Sequence, residues 1–191
     1  MTVLTGPPPG IVRVKALYES LRDDVALLAT APPADAALSS EIAAQLAAEA
    51  RLLDTQAFTT WLGRWDEDAT FWVPLTPDGD PETDQALFVD DYGRLRERVW
   101  RMGDKSAWAL QPPGQTVRLV GSVEAWPLDA EVSVIASSTI TIQHTRMQSV
   151  FTTSGRQIHR LRRGEDGWRL VRKIMLLPAQ SAGTPHLGWL L

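Results

Sequence analysis

The chain contains no cysteine. That excludes disulfides, cysteine-ligated zinc, iron–sulfur clusters held by this chain and thiol nucleophiles. Histidine is scarce, at three residues in 191. The strand–turn–helix signature G-x-S-x-G is absent, and so are G-x-G-x-x-G and the P-loop; the GPPPG at 6–10 fits none of them. No apolar run approaches the ~20 residues of a membrane span. The opening MTVLTGPPPGIVRV lacks the ~7–15-residue apolar core of a secretory signal. The expected compartment is the cytosol, with no membrane partner.

What is present describes an ordinary globular chain, 44% hydrophobic and 22% charged, with eight tryptophans. Its length fits one domain with an appendage. The net charge of −4 is unevenly spread. Residues 1–90 hold 15 acids and 5 bases, whereas residues 91–191 hold 8 acids and 14 bases. A basic half can mark a nucleic-acid face. Here a basic stripe lies beside an acidic half of the same domain, so the expectation is that the halves pair with each other or with a partner subunit. The segment 156–173 carries one aromatic, Trp168, and lacks the stacking platform of single-strand binders. Nucleic acid is not an expected partner.

Along the chain, residues 1–38 read as an arm punctuated by GPPPG and APPA. Leu17, Leu21, Val25 and Leu28 predict one helix near 14–29, docked on the body or on a neighbour. The body, 39–191, opens at Ser39–Ser40 with Ile42, Leu46, Ala50 and Leu53 on one stripe. Asp54 is placed to cap a second helix carrying Phe58, Trp61, Leu62 and Trp65. Short strands follow at 71–75 and 86–89. Asp90 or Asp91 then caps a helix with Tyr92, Leu95, Val99 and Met102 on one side, ended by Gly103, and a loop fills 104–115. Beyond it the period changes from 3.6 to 2. Strands are expected at 117–125 and 132–142, and a hairpin turning at Ser154–Gly155. A GEDG turn opens the last strand, with Trp168, Leu170, Ile174 and Leu176 on one side and Val171, Met175 and Leu177 on the other. Helices first and a long antiparallel sheet after them make an α+β domain with helices on one sheet face. The second apolar face of the last strand and the tail PHLGWLL at 185–191 call for another cover, most simply a subunit interface.

Candidate chemistry is thin. The predicted hairpin sets His159 opposite about Val150, which leaves His144 some six residues away, roughly 20 Å. The two cannot share a metal ion, and His186 sits in the tail. Asp90 and Asp91, with Tyr92 or His144 assisting, form the one conceivable acid–base set in a cone-shaped pocket. The simpler reading is a helix cap and arginine pairing.

One set of motifs goes further. EARLLDTQAFTTWLGRWDEDATFWVPL at 49–75 resembles the small (β) subunit of bacterial aromatic-ring-hydroxylating dioxygenases through Glu49, Ala50, Leu52, Leu53, Asp54, Phe58, Trp61, Leu62, Asp68, Phe71, Trp72 and Pro74. DDYGRLRERVWRM at 90–102 resembles a second element of that family through Asp90, Asp91, Leu95, Arg98, Val99 and Arg101. QPPGQTVRLVGSVE at 111–124 and GWRLVRKIMLL at 167–177 resemble its strand entry and its ending. Gln115, Gly121 and Pro178 depart from the family's usual residues.

The resemblance implies a cystatin-like, nuclear-transport-factor-like cone: N-terminal helices packed on a long curved, mostly antiparallel sheet. It implies a structural chain without catalytic, cofactor or metal residues. Its partner would be an α subunit carrying a Rieske [2Fe–2S] cluster and a mononuclear iron, with further β copies in an α3β3 assembly that adds dioxygen to an arene during aromatic catabolism. The alternative is a stand-alone enzyme of the same cone fold, similar to ketosteroid isomerases or scytalone dehydratase, using Asp90, Asp91, Tyr92 and His144.

Overall fold

Hydrophobic periodicity sets the order of elements, seen in a computed structural model that describes residues 9–103, 114–129 and 132–178. The expectations placed on 104–113, on the tail 185–191 and on His186 lie outside those residues. The elements are α1 (Pro9–Thr30), α2 (Ala36–Asp54), α3 (Phe58–Leu62), β1 (Trp65–Pro74), β2 (Ala86–Asp91), α4 (Tyr92–Gly103), β3 (Gln115–Asp129), β4 (Ser133–Arg146), β5 (Ser149–Gly164) and β6 (Gly167–Leu176). One six-stranded sheet runs in the order β2-β1-β6-β5-β4-β3. Every neighbouring pair is antiparallel except β1 and β6, which are parallel. The sheet is therefore mixed, and the α+β cone architecture stands.

The front face carries α2, α3 and α4 over a core of Ile42, Leu46, Leu53, Trp61, Trp65, Phe71 and Leu95. The back face is not left for another subunit alone, as the sequence led us to expect. Helix α1 lies on it: Leu21 packs with Trp72, Trp126, Ile135, Ile158 and Ile174, flanked by Leu17, Val25 and Leu28. The four leucine and valine positions read from the sequence are the seam of this contact. The fully buried Leu21 contributes roughly 1.5–3 kcal/mol, and the partly buried Leu17, Val25 and Leu28 each less. The indole Nε1 of Trp126 donates to Pro32 O at 2.7 Å and fixes the turn after the helix.

Several boundaries differ from expectation for identifiable reasons. Helix α2 starts earlier because Asp35, not Ser39 or Ser40, caps it, accepting from Leu38 N at 2.8 Å. Ser39 Oγ instead accepts from Ala125 N. Asp54 caps no second helix. It ends α2, and Gln56 breaks the chain with φ of 59°, so α3 is one short turn and Trp65 belongs to β1. Asp54 accepts from Arg118 N at 2.9 Å and Thr116 Oγ1 at 2.9 Å. Those bonds tie the end of α2 over the edge strand β3 and cover an edge that would otherwise invite pairing.

The hairpin turns at Met147–Gln148, not at Ser154–Gly155: Arg146 pairs with Ser149, and β5 runs unbroken from there. Met147 adopts φ of 54°, a conformation tight hairpins usually give to Gly or Asn, so the local residues do not announce the turn. Gly155 is a glycine for another reason. A Cβ there would sit 2.5 Å from Leu176 O on the next strand. In β6, Leu170 pairs with Leu161 and Arg172 with Arg160, leaving Val171 as an extra residue. This bulge swaps the faces. Trp168 and Leu170 join Met175 and Leu177 in the front core, while Ile174 lies at the back.

Candidate functional site

The Asp90–Tyr92 segment was the one acid–base candidate. Successive strand residues point to opposite faces, so the two acids separate. Asp90 is buried and paired with Arg98 Nε. Asp91 is exposed and accepts from Arg94 N at 2.8 Å, capping α4. Tyr92 packs half-buried on the front core. His144 lies on β4, four strand positions from β2, about 19 Å at ~4.8 Å per strand. The structure does not bring these four residues together. What surrounds Asp90 is an open groove of about 350 Å³ lined by Arg94, Glu97, Arg98 and Arg101.

Nor do the histidines meet. The corrected register places His144 opposite Phe151 and His159 opposite Ala136. They are eight residues apart along β4, roughly 26 Å at ~3.3 Å per residue. Among the described residues no three His, Asp or Glu side chains gather where they could hold a metal ion.

Aromatic rings occupy the interior between helices and sheet. Trp61 meets Trp65 edge-on at 5.3 Å, Trp65 meets Phe71 at 5.9 Å, and Phe71 meets Phe88 edge-on at 5.0 Å. Such offset and edge contacts add to the area they bury. Trp72 instead faces the back core with α1.

Sequence reasoning missed the buried carboxylate in this interior. Glu49 stands on the apolar stripe of α2, one turn beyond Leu46, and helical spacing drives it inward. Its Oε1 accepts from Trp61 Nε1 at 3.0 Å and from Lys173 Nζ at 2.8 Å. His159 Nε2 stands 3.5 Å from Oε2, and Lys173 also lies 5.5 Å above the Phe71 ring. Burial alone would raise the Glu49 carboxyl, but the Lys173 ammonium and the His159 ring outweigh it and hold it below the usual carboxylate range. Burial lowers His159 from its ordinary value, offset in part by Glu49. It lowers Lys173 in the same way, again against the pull of Glu49. Beside Glu49, under Gln45 and Trp168, lies a space of about 10 Å³, the lower limit for one water. The arrangement is a closed polar lock joining α2, α3, β5 and β6.

The two charged halves do interlock. Arg98, Arg118, Arg160, Arg162, Arg163, Arg172 and Lys173 each pair with an acid from residues 1–90. Asp24 of α1 is buried between Arg160 and Arg172, and Arg172 also donates to Ser20 Oγ at 2.7 Å.

A family model described as the ring hydroxylating beta subunit matches residues 48–181. The small oxygenase component of the p-cumate 2,3-dioxygenase system of Pseudomonas putida is 34% identical over 150 residues, spanning 77% of this chain and 82% of that protein. The β subunit of N,N-dimethyl phenylurea N-demethylase from Sphingobium sp. (strain YBL2) is 31% identical over 75% of this chain and 85% of its own length. The crystal structure of the β subunit of benzoate 1,2-dioxygenase from Burkholderia mallei superposes with a TM-score of 0.64 at 25% identity, covering 80% of this chain and 96% of that one.

Proposed function

The chain belongs to the family of ring-hydroxylating β subunits, and from that premise we propose that it is the non-catalytic structural subunit of an aromatic-ring-hydroxylating dioxygenase. It would seat an α subunit, the bearer of a Rieske [2Fe–2S] cluster and a mononuclear iron, in a cytoplasmic α3β3 assembly that adds dioxygen to an arene. Residues 39–191 form the family domain, and 1–38 form an arm whose helix α1 lies on the back face of that domain. No residue of this chain serves as a catalytic, cofactor or metal ligand group.

One observation carries the structural role. The interior where a cone-fold isomerase or dehydratase would open an acid-lined pocket is filled by Trp61, Trp65, Phe71 and Phe88, and its acid, Glu49, is locked by Lys173. This observation favours the subunit reading over a stand-alone enzyme built on Asp90, Asp91, Tyr92 and His144. The relatives are named for a ring dioxygenase and for an N-demethylase, which agrees with a substrate chosen by the α subunit.

The test is to produce this chain with its cognate large subunit and to weigh the product by light scattering. The expected result is a complex containing both chains, active only when both are present. A chain that remains apart from its α subunit, or that turns over a substrate alone, overturns the reading.

A further inference from the structure

Helix α1 covers only part of the back face. Strand alternation turns Ile135 and Ser137 of β4 to that face, where both are buried. Further along the same face the cover stops. Val117 is 68% exposed, Leu119 71% and Val150 57%. The register places Val117 beside Gln143 and Thr152, and Leu119 beside Thr141. These residues form one continuous strip across β3, β4 and β5. Between Arg156 and Val150 it holds no charged side chain, only aliphatic groups set among threonine, serine and glutamine.

We propose that this strip is the seat of the chain's own C-terminal segment, with Leu187, Trp189 and Leu190 laid on Val117, Leu119 and Val150. The tail that the sequence showed to be in want of a cover is then itself the cover of a bare sheet face.

The chain leaves the sheet at the edge of the strip. Strand β6 ends with Leu176 paired to Arg156, and Pro178 has no N–H with which to continue the ladder. Strand β5 runs on from Gly155 to Ser149 without β6 beside it. Leu176 already packs on the back core, so the thirteen residues 179–191 start on the right side of the sheet. Val117 lies three strands and four residues from the Leu176–Arg156 row, roughly 19 Å away at ~4.8 Å per strand and ~3.3 Å per residue. The eleven residues from Leu176 to Leu187 reach roughly 36 Å when extended, ample for the path. The chemistry matches as well. Residues 179–191 contain no Asp, Glu, Lys or Arg, and a neutral segment suits a strip without charge. The tether favours the tail over a second molecule, because a short linker holds its end at a local concentration on the order of 1 mM.

The absence of cysteine makes the test clean. Gln143 is exposed in the middle of the strip, and replacing it leaves Val117 and Leu119 in place. In the full-length chain, Gln143→Cys/His186→Cys should close an intrachain disulfide on mild oxidation at least ten times faster than Val132→Cys/His186→Cys, since Val132 is exposed at the opposite end of β4. Peptide mapping identifies the link, and a non-reducing gel shows whether it stays within one chain. Adding Val117→Glu/Leu119→Glu should bring the rate down to that of the control, with circular dichroism unchanged because both positions are exposed. In complex with the α subunit the rate should hold. Four results overturn the proposal: closure no faster than the control, closure that survives the two glutamates, disulfides chiefly between copies, which gives the strip to a second molecule, or a fall to the control rate in the complex, which gives it to the α subunit. The first three are read on this chain alone, so they leave the proposed function untouched.

Discussion

A buried carboxylate decides more here than any exposed one. Glu49 accepts from Trp61 and Lys173 in a site closed to solvent. Removing one partner of such a pair leaves an uncompensated buried charge, which costs about 3–5 kcal/mol. Glu49→Ala should lower stability by that order in urea denaturation, and Glu49→Leu/Lys173→Met should recover most of the loss, because two apolar groups of similar volume replace the pair. The pH dependence has a fixed sign. Burial holds His159 below its ordinary value, so the unfolded chain binds a proton that the folded chain refuses. Stability should be complete above about pH 6.5, the unfolded value, and should fall as the pH drops below it. Glu49, held low, keeps its contribution until the pH falls through and below the ordinary carboxylate range. Urea midpoints should therefore be nearly level between pH 8 and 7 and descend at pH 6 and 5, and His159→Gln should flatten that fall. At this scale the sequence was half legible. Glu49 interrupts an apolar stripe in plain view. Lys173 and His159 reach it only through the bulge at Val171 and a strand register that local periodicity does not reveal.

Among the elements, α1 shows how a helix can be read correctly while its purpose is missed. The sequence placed a stripe at Leu17, Leu21, Val25 and Leu28, and the structure seats that stripe on the back face of the sheet. Deleting 1–30 would expose Trp72, Ile135, Ile158 and Ile174 and strip Arg160 and Arg172 of Asp24. The shortened chain is expected to bind a hydrophobic dye and self-associate; dye fluorescence and light scattering check this, and a monomeric, dye-silent product would contradict it. Helices α1, α2 and α4 were legible because each carries a 3.6-residue stripe, and α2 and α4 are also capped, by Asp35 and Asp91. The hairpin between β4 and β5 was not, since Ser154–Gly155 looks like a turn whereas Met147–Gln148 does not. Gly155 answers to the neighbouring strand, a long-range demand that short-range pattern reading assigns to the wrong cause.

For the molecule as a whole, the ion pairs between an acidic first half and a basic second half argue against two independent units. Unfolding should be one cooperative transition, with the calorimetric enthalpy equal to the van't Hoff value; two resolved transitions would refute this. Charge asymmetry read from composition was informative, although only coordinates could say that its cations turn inward to acids. The parallel pairing of β1 with β6 has a consequence for birth rather than for the finished state. During synthesis β1 emerges some hundred residues before the partner that will flank it. Until translation nears its end, Trp65, Phe71 and Trp72 have no completed sheet to enter, which leaves a window for aggregation that the finished fold closes.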